Sequence, residues 1–247
     1  MPLPACPPRI LRSRSRRINR HAGFTLIEMA VALVVVALLL GSLLAPLSSQ
    51  VEQRKISEAQ KILEQINDAL MGFAMSQTPA RLPCPDTNGD GLEDACPFTA
   101  GSSTEGNVPW QTLAVPAADP WGQRYQYRVN GAFTTTQANG PPYLSLTTTP
   151  SGACNPPGSP AVGNIRICVD SACSSTLANG VPAIIYSRGP NGTQPPTSAD
   201  ELENADIDCL FVSRTFSSVT GTEFDDVVTW ISAPVLYSRL VTAQKLP

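Results

Sequence analysis

The chain has 247 residues, of which 42% are hydrophobic and 15% charged, enough for one domain or two small ones. Its formal charge of −3 is unevenly spread: residues 1–23 hold six of the 17 basic residues and no acid, which leaves 11 basic against 20 acidic residues in 24–247. The single histidine, His21, also lies in that basic segment. If the segment is removed, no imidazole remains for a catalytic triad or a zinc site, and the acidic remainder disfavours DNA binding.

The first predicted element is an apolar run from Phe24 to Leu47 that contains one charged residue, Glu28. A helix rises about 1.5 Å per residue, so this run is long enough to cross a hydrocarbon core of about 30 Å. Six arginines precede it, and Arg54, Lys55 and Lys61 are the only bases soon after it, so the denser positive charge predicts a cytoplasmic N-terminus, a single pass and an exported body. A cleaved secretory signal fits poorly, because its apolar core is shorter and a small-residue cleavage site follows it.

Glu28 is unusual, because a carboxylate inside a membrane span is costly unless it is paired. No basic residue lies within the run, so the nearest cation would be a new α-amino group made by cutting after Gly23. The order of basic leader, Gly23, Phe24-Thr25-Leu26-Ile27-Glu28 and apolar span resembles the processing signature of type IV prepilins and pseudopilins.

This resemblance implies that a prepilin peptidase cuts between Gly23 and Phe24 and methylates the new amine of Phe24. It also implies assembly with other pilin or pseudopilin subunits. In a helical stack, Glu28 of one subunit would pair with the Phe24 amine of its neighbour, which neutralises both charges and sets the axial register.

The next predicted element is an amphipathic helix that runs to about Ser76. Its apolar residues recur at steps of three and four: Ile56, Ala59, Leu63, Ile66, Leu70 and Phe73. The chain is thus divided into a cleaved leader (residues 1–23), a transmembrane and amphipathic helix (24–78) and a globular body (79–247). Packing of the apolar stripe on a sheet is favoured over a coiled coil, because the stripe lasts less than three heptads.

The body is rich in proline, glycine, serine and threonine, with short apolar runs typical of strands. The predicted strands are Tyr125–Val129, Tyr143–Thr148, Ile165–Val169, Pro182–Ser187, Leu210–Phe216 and Val227–Ile231. A last helix is predicted from Ala233 to Ala243, with Ser232 as its cap. The fold class is α+β: a pilin-like long N-terminal helix packed on an antiparallel sheet, with long loops stapled by disulfides.

Two segments of the body resemble the major pseudopilin of type II secretion. The first is Asp119-Pro120-Trp121-Gly122, followed by Tyr125-Gln126-Tyr127; physically it reads as a tight turn with a tryptophan against the core. The second is Tyr186-Ser187-Arg188-Gly189-Pro190-Asn191-Gly192, followed by Asp206-Ile207. The loops that bear cysteines and the extension Phe224–Pro247 depart from that compact subunit and favour a minor subunit.

Six cysteines remain once Cys6 is lost with the leader. An even number in an exported, loop-rich body indicates three disulfides rather than zinc ligands or reactive thiols. Closure of local loops favours Cys84–Cys96 and Cys168–Cys173, which leaves Cys154–Cys209.

The segment between Cys84 and Cys96 has the oxygen spacing of a calcium loop at positions 1, 3, 5, 7 and 9. Its candidate ligands are Asp86, Asn88, Asp90, the carbonyl of Leu92, and Asp94. Pro97 stands where a calcium loop has its bidentate glutamate. The alternative is an Asx-rich turn closed by a disulfide, with no metal.

Catalysis finds no support in the sequence. It has no nucleophile elbow, P-loop or dinucleotide fingerprint, and the adjacent Asp225 and Asp226 point to opposite faces of a strand. The leading hypothesis is a non-catalytic minor pilin or pseudopilin that requires no cofactor. The alternative is a pilin-anchored adhesin or DNA-uptake tip, whose DNA version would need a basic surface stripe made by Arg124, Arg128 and Arg166.

Overall fold

The computed structural model describes Gly23 and residues 25–95, 103–134, 144, 164–206 and 208–246. The chain forms two units, Met1–Ser49 and Gln50–Pro247. Its elements in chain order are α1 (Leu26–Ser76), β1 (Ser103–Asn107), α2 (Trp110–Leu113), β2 (Gln126–Asn130), a 3₁₀ turn (Gly131–Phe133), β3 (Ile165–Cys168), β4 (Thr176–Val181), β5 (Ala183–Ser187), α3 (Ala199–Ala205), β6 (Leu210–Val212), β7 (Val227–Ile231) and α4 (Ala233–Thr242).

The part of α1 that lies in the second unit is amphipathic, and it ends at Ser76 as predicted. Ala59, Leu63, Ile66 and Leu70 are fully buried, because their steps of three and four place them on one face of the helix. This face packs on residues of the sheet such as Tyr127 and Ile185. The amphipathic helix and its docking on a sheet are therefore confirmed.

The main sheet has the strand order β1-β2-β5-β7, and each neighbouring pair is antiparallel. All five residues of β5 are buried, because both faces of the sheet are covered. Ile185 faces the core that it shares with α1, whereas Ile184 and Tyr186 face a second core. An α+β fold with a long N-terminal helix and an antiparallel sheet is thus observed.

A second sheet, with the order β4-β3-β6, covers the other face of the main sheet. β3 and β6 are parallel, which departs from the single antiparallel sheet expected from the sequence. β3 and β6 can pair in parallel because the chain between them contains β4, β5 and α3. This connection is long enough to cross over and return in the same direction. β1 and β4 were not predicted, since neither has an alternating apolar pattern.

Two predicted boundaries need correction. The strand expected over Leu210–Phe216 ends at Val212, because the chain then leaves the sheet as an arm, residues 213–226, closed by a bridge between Ser217 and Phe224. Ser232 precedes α4 but its side chain makes no capping hydrogen bond; a proline in the first turn starts the helix instead. Of the predicted strand Tyr143–Thr148, only Leu144 lies within the described residues, and it is buried.

Candidate functional site

The first helical turn of α1 forms a reciprocal pair of hydrogen bonds between Thr25 and Glu28. The Glu28 amide donates to Thr25 Oγ1 at 3.3 Å, and the Thr25 amide donates to Glu28 Oε2 at 3.5 Å. This is a capping box, which satisfies two amide groups that the helix start would otherwise leave open. The helix thus begins at Leu26, and Glu28 is held on its exposed first turn, three residues after Thr25. Phe24 lies outside the described residues.

Apolar side chains are exposed along the described residues of α1 in this first unit, 26–39. Leu26 is 91% exposed and Ile27 is 74% exposed, and Val31, Leu33 and Leu38 are exposed as well. Over the residues described, no helix proves sufficiently long and apolar to traverse a membrane. The anchor over residues 24–47 stays a prediction from the sequence.

The described cysteines are all in disulfides. Cys168 and Cys173 are joined, with their Cα atoms 5.0 Å apart, as the sequence predicts. Cys84 and Cys209 are disulfide-bonded as well. Their predicted partners, Cys96 and Cys154, lie outside the described residues.

The candidate calcium loop is a chain of Asx turns. Asp86 is fully buried, and its carboxylate accepts hydrogen bonds from the amides of Asn88, Gly89 and Gly91. The side chain of Asn88 accepts from the amide of Asp90 in the same manner, two residues further along.

The pattern continues to the end of the loop. Asp90 accepts from the amide of Leu92, and Asp94 accepts from the amide and hydroxyl of Thr87. Among the described residues, a group of acids close enough together to hold a metal ion lies outside this loop. It consists of Glu203, Asp206 and Asp208, whose carboxylate oxygens are within 4.8 Å of one another. Calcium in the Asp86–Asp94 loop stays a prediction.

The Asp119-Pro120-Trp121-Gly122 turn is present as its residues suggest. Asp119 Oδ1 accepts from the amides of Trp121 (3.0 Å) and Gln123 (2.8 Å), and Gly122 has a φ of +87°. Trp121 Nε1 donates to Glu52 of α1 at 3.0 Å, and the hydroxyl of Ser187 in β5 donates to Asp119. The turn therefore ties α1 to the centre of the main sheet.

Arg128 is buried, which rules out the basic surface stripe with Arg124 and Arg166. Its side chain lies between the two sheets, pairs with Glu105 and stacks on the ring of Phe211 at 5.3 Å. Arg124, by contrast, is exposed and stacks on Trp110 at 3.9 Å. The DNA-uptake alternative thus loses the surface that it required.

An acidic cluster, which we define as Glu201, Asp225 and Asp226, joins three segments of the body. Glu201 accepts from the Asn191 side-chain amide at 3.2 Å and from the Asp225 backbone amide at 3.2 Å. Asp226 accepts from the side chain of Asn204 at 2.7 Å. Asp225 and Asp226, expected on opposite faces of a strand, thus both lie near Glu201, which α3 supplies.

Burial, followed by repulsion from Glu201, raises the pKa of Asp225 to about 7. Burial likewise raises the pKa of Asp226 to about 7, although the hydrogen bond from Asn204 opposes the rise. Neither carboxyl is fully ionised near neutral pH, so the cluster does not hold three full negative charges there.

These shifts predict that the body is less stable at alkaline pH. Because the folded state holds protons that the unfolded state releases above a pKa of 3.8, the unfolding free energy falls as the pH rises from about 4 to about 7, and it then levels off. We expect the Tm to be several degrees higher at pH 5 than at pH 8 in a thermal scan. Asp226→Asn, which keeps an acceptor for Asn204, should flatten this dependence; an unchanged slope would contradict the assignment.

Comparison with known proteins bears on the N-terminal region. Residues 18–44 match the family model described as the prokaryotic N-terminal methylation motif. No curated protein and no solved structure matches the chain, and the resemblance of the body to the major pseudopilin stays a prediction. The chain carries, in residues 18–44, the signature of type IV prepilins and pseudopilins, which implies processing by prepilin peptidase and assembly with other pilin subunits.

Proposed function

We propose that the chain is a minor pilin or pseudopilin, a non-catalytic subunit of a type IV pilus or of a type II secretion pseudopilus. The observation that carries this proposal is the methylation motif at residues 18–44, which overlaps a helix start capped by Thr25 and Glu28. Removal of residues 1–23 would place the new amine of Phe24 one helical turn before the Glu28 carboxylate.

The exposed apolar surface of the first unit supports a role in assembly. Leu26, Ile27 and Leu38 expose most of their side chains, and contiguous apolar surface of this kind marks contact with lipid or with other proteins. Burying such a side chain contributes about 1.5–3 kcal/mol. The proposed sequence of events is storage in the inner membrane with the N-terminus cytoplasmic and the body periplasmic, followed by packing in the filament core.

The body supports a minor rather than a major role. β7 and α4, which form most of the extension Phe224–Pro247, contribute Ile231, Leu236 and Leu240 to the main core. The extension is therefore an integral part of the fold rather than an appended tail. The Cys168–Cys173 disulfide and the disulfide-bonded Cys84 and Cys209 also distinguish the body from the compact major subunit to which two of its segments are similar.

Mass spectrometry of the mature protein tests the proposal. From cells with an active prepilin peptidase, we expect the mass of residues 24–247 plus one methyl group, located on the amine of Phe24 by fragmentation. From cells that lack the peptidase, the same gene should yield the full precursor with its leader. The precursor mass in both strains would contradict the proposal.

A further inference from the structure

A groove of about 580 Å³ runs along β7, and this volume is in the range of ligand-binding cavities. One wall belongs to α1, the other wall is the start of the arm, and the floor is β7 with the two residues before it. The residues that line it include Glu64, Arg214, Asp225, Asp226 and Val228.

The floor of the groove is the edge of a strand rather than the face of a sheet. Five successive residues, 225–229, line the same cavity, although alternate side chains of a strand point to opposite faces. β7 is the last strand in the order β1-β2-β5-β7, and within the described part of the chain β5 is its single strand neighbour. The groove therefore follows the side of β7 that faces away from β5.

The backbone direction at this edge follows from one hydrogen bond. Asn67 of α1 donates its side-chain amide to the carbonyl of Trp230 at 3.2 Å, so Trp230 directs its backbone groups away from β5. Residues two apart in an antiparallel strand point their N–H and C=O groups to the same side. Val228 consequently presents both its N–H and its carbonyl to the groove.

The groove is acidic. Three acidic residues line it: Glu64, Asp225 and Asp226. The Glu64 side chain is exposed, whereas Asp225 Oδ1 is buried beside Gly189 and Asp226 accepts a hydrogen bond from Asn204. Arg214 also lines the groove, but its Nε lies 2.7 Å from Asp200 Oδ2, so its charge is already neutralised. A cationic side chain in the groove would pair with Glu64 and would favour the ionised forms of Asp225 and Asp226, whereas an acidic side chain would be repelled by Glu64.

We infer that the groove docks an extended segment of a partner protein, which adds as a strand to the edge of β7 and places lysine or arginine side chains near Glu64, Asp225 and Asp226. Strand addition draws its affinity from backbone hydrogen bonds at the open edge, here those of Val228, and its specificity from the groove walls. The inference rests on the body alone, so its failure would leave the filament proposal untouched, and the reverse also holds.

A labelled peptide tests the inference on the full chain in non-ionic detergent. The probe is acetyl-Val-Lys-Val-Lys-Val-amide, with binding followed by fluorescence anisotropy. Two comparators isolate the two contributions: the peptide with glutamate in place of lysine, and the lysine peptide N-methylated at every backbone amide, which blocks both of its edges. We expect each comparator to bind about tenfold more weakly, since the first reverses the charge and the second removes the backbone donors of all five residues. Equal binding of the N-methylated and unmodified peptides would overturn strand addition.

The variant Val228→Pro tests the same edge from the protein side. It removes an N–H that faces the groove and leaves the ladder to β5 in place, as prolines at edge strands do. We expect affinity for the lysine peptide to fall about tenfold, while the control Val228→Thr, which keeps the N–H, stays within about twofold. If Val228→Pro does not fold, the N-methylated peptide decides the question. Self-association that Val228→Pro abolishes would assign the edge to a second copy of the chain and overturn the proposed occupant.

Discussion

Glu28→Ala should abolish incorporation of the chain into filaments while leaving membrane insertion intact. In the proposed assembly, the carboxylate neutralises the Phe24 amine of a neighbouring subunit; without it, that amine is left unpaired in an apolar core. Removal of one partner of a buried ion pair costs about 3–5 kcal/mol, enough to lower incorporation by more than a hundredfold. The measurement compares the variant in sheared filaments with the variant in membranes, by immunoblot.

A second substitution at the same position separates two roles of Glu28. Glu28→Gln keeps the capping box, because glutamine also bonds back to the amide at the cap, but it removes the charge. We expect Glu28→Gln to be as defective in assembly as Glu28→Ala. Glu58→Ala, an exposed position on the same helix, is the matched control and should assemble normally. Normal incorporation of Glu28→Gln would show that capping, not charge, is what assembly requires.

Glu105→Ala should destabilise the body by about 3–5 kcal/mol, because it leaves the guanidinium of Arg128 buried without its ion-pair partner. Arg128 is 2% exposed, and two of its three guanidinium nitrogens, Nε and Nη1, already lack a hydrogen-bond partner in the described structure. Glu105 also accepts a hydrogen bond from the hydroxyl of Tyr186 at 2.8 Å, and the substitution removes this hydrogen bond as well. Urea unfolding of the full chain, followed by tryptophan fluorescence, measures the change.

Three further variants make this result interpretable. Arg81→Ala breaks a more exposed pair with Glu93, whose side chains are 17% and 26% exposed, and should cost only about 1 kcal/mol. Tyr186→Phe, which removes one hydroxyl, should also cost about 1 kcal/mol. The double substitution Arg128→Met with Glu105→Leu should recover most of the stability, since apolar residues often replace a buried ion pair at little cost. A Glu105→Ala variant as stable as the parent chain would show that Arg128 remains solvated.

The N-terminal site was predictable because its signal is local. Gly23, the following residues through Glu28 and the apolar run stand in a fixed order along the chain, and the amphipathic stripe of α1 follows the helical period. The strand Val227–Ile231 coincides with β7, because a continuous β-branched and aromatic run leaves few alternatives.

The buried charges were not predictable, because they depend on how many layers cover the sheet. Arg128 alternates with the core residues Tyr127 and Val129, so the pattern of β2 alone assigns it to solvent. It is buried because the second sheet packs on that face. Glu201 did have a local signal: Ser198 and Glu201 have the spacing of a capping box, and the Ser198 hydroxyl accepts from the Glu201 amide at 3.2 Å.

The hydrogen bond from Asn67 to the carbonyl of Trp230 also bears on aggregation. An unpaired strand edge is a template on which other copies of a chain can add indefinitely, and natural proteins obstruct such edges. Here α1 places a side-chain amide on the backbone acceptor at Trp230, two residues beyond Val228. This hydrogen bond leaves the edge of β7 open only as far as Val228 and Thr229. That part of the edge is too short for the sheets of two copies to pair along a whole strand. A subunit held at high local density in a membrane before assembly would be protected against edge-to-edge polymerisation by this one contact.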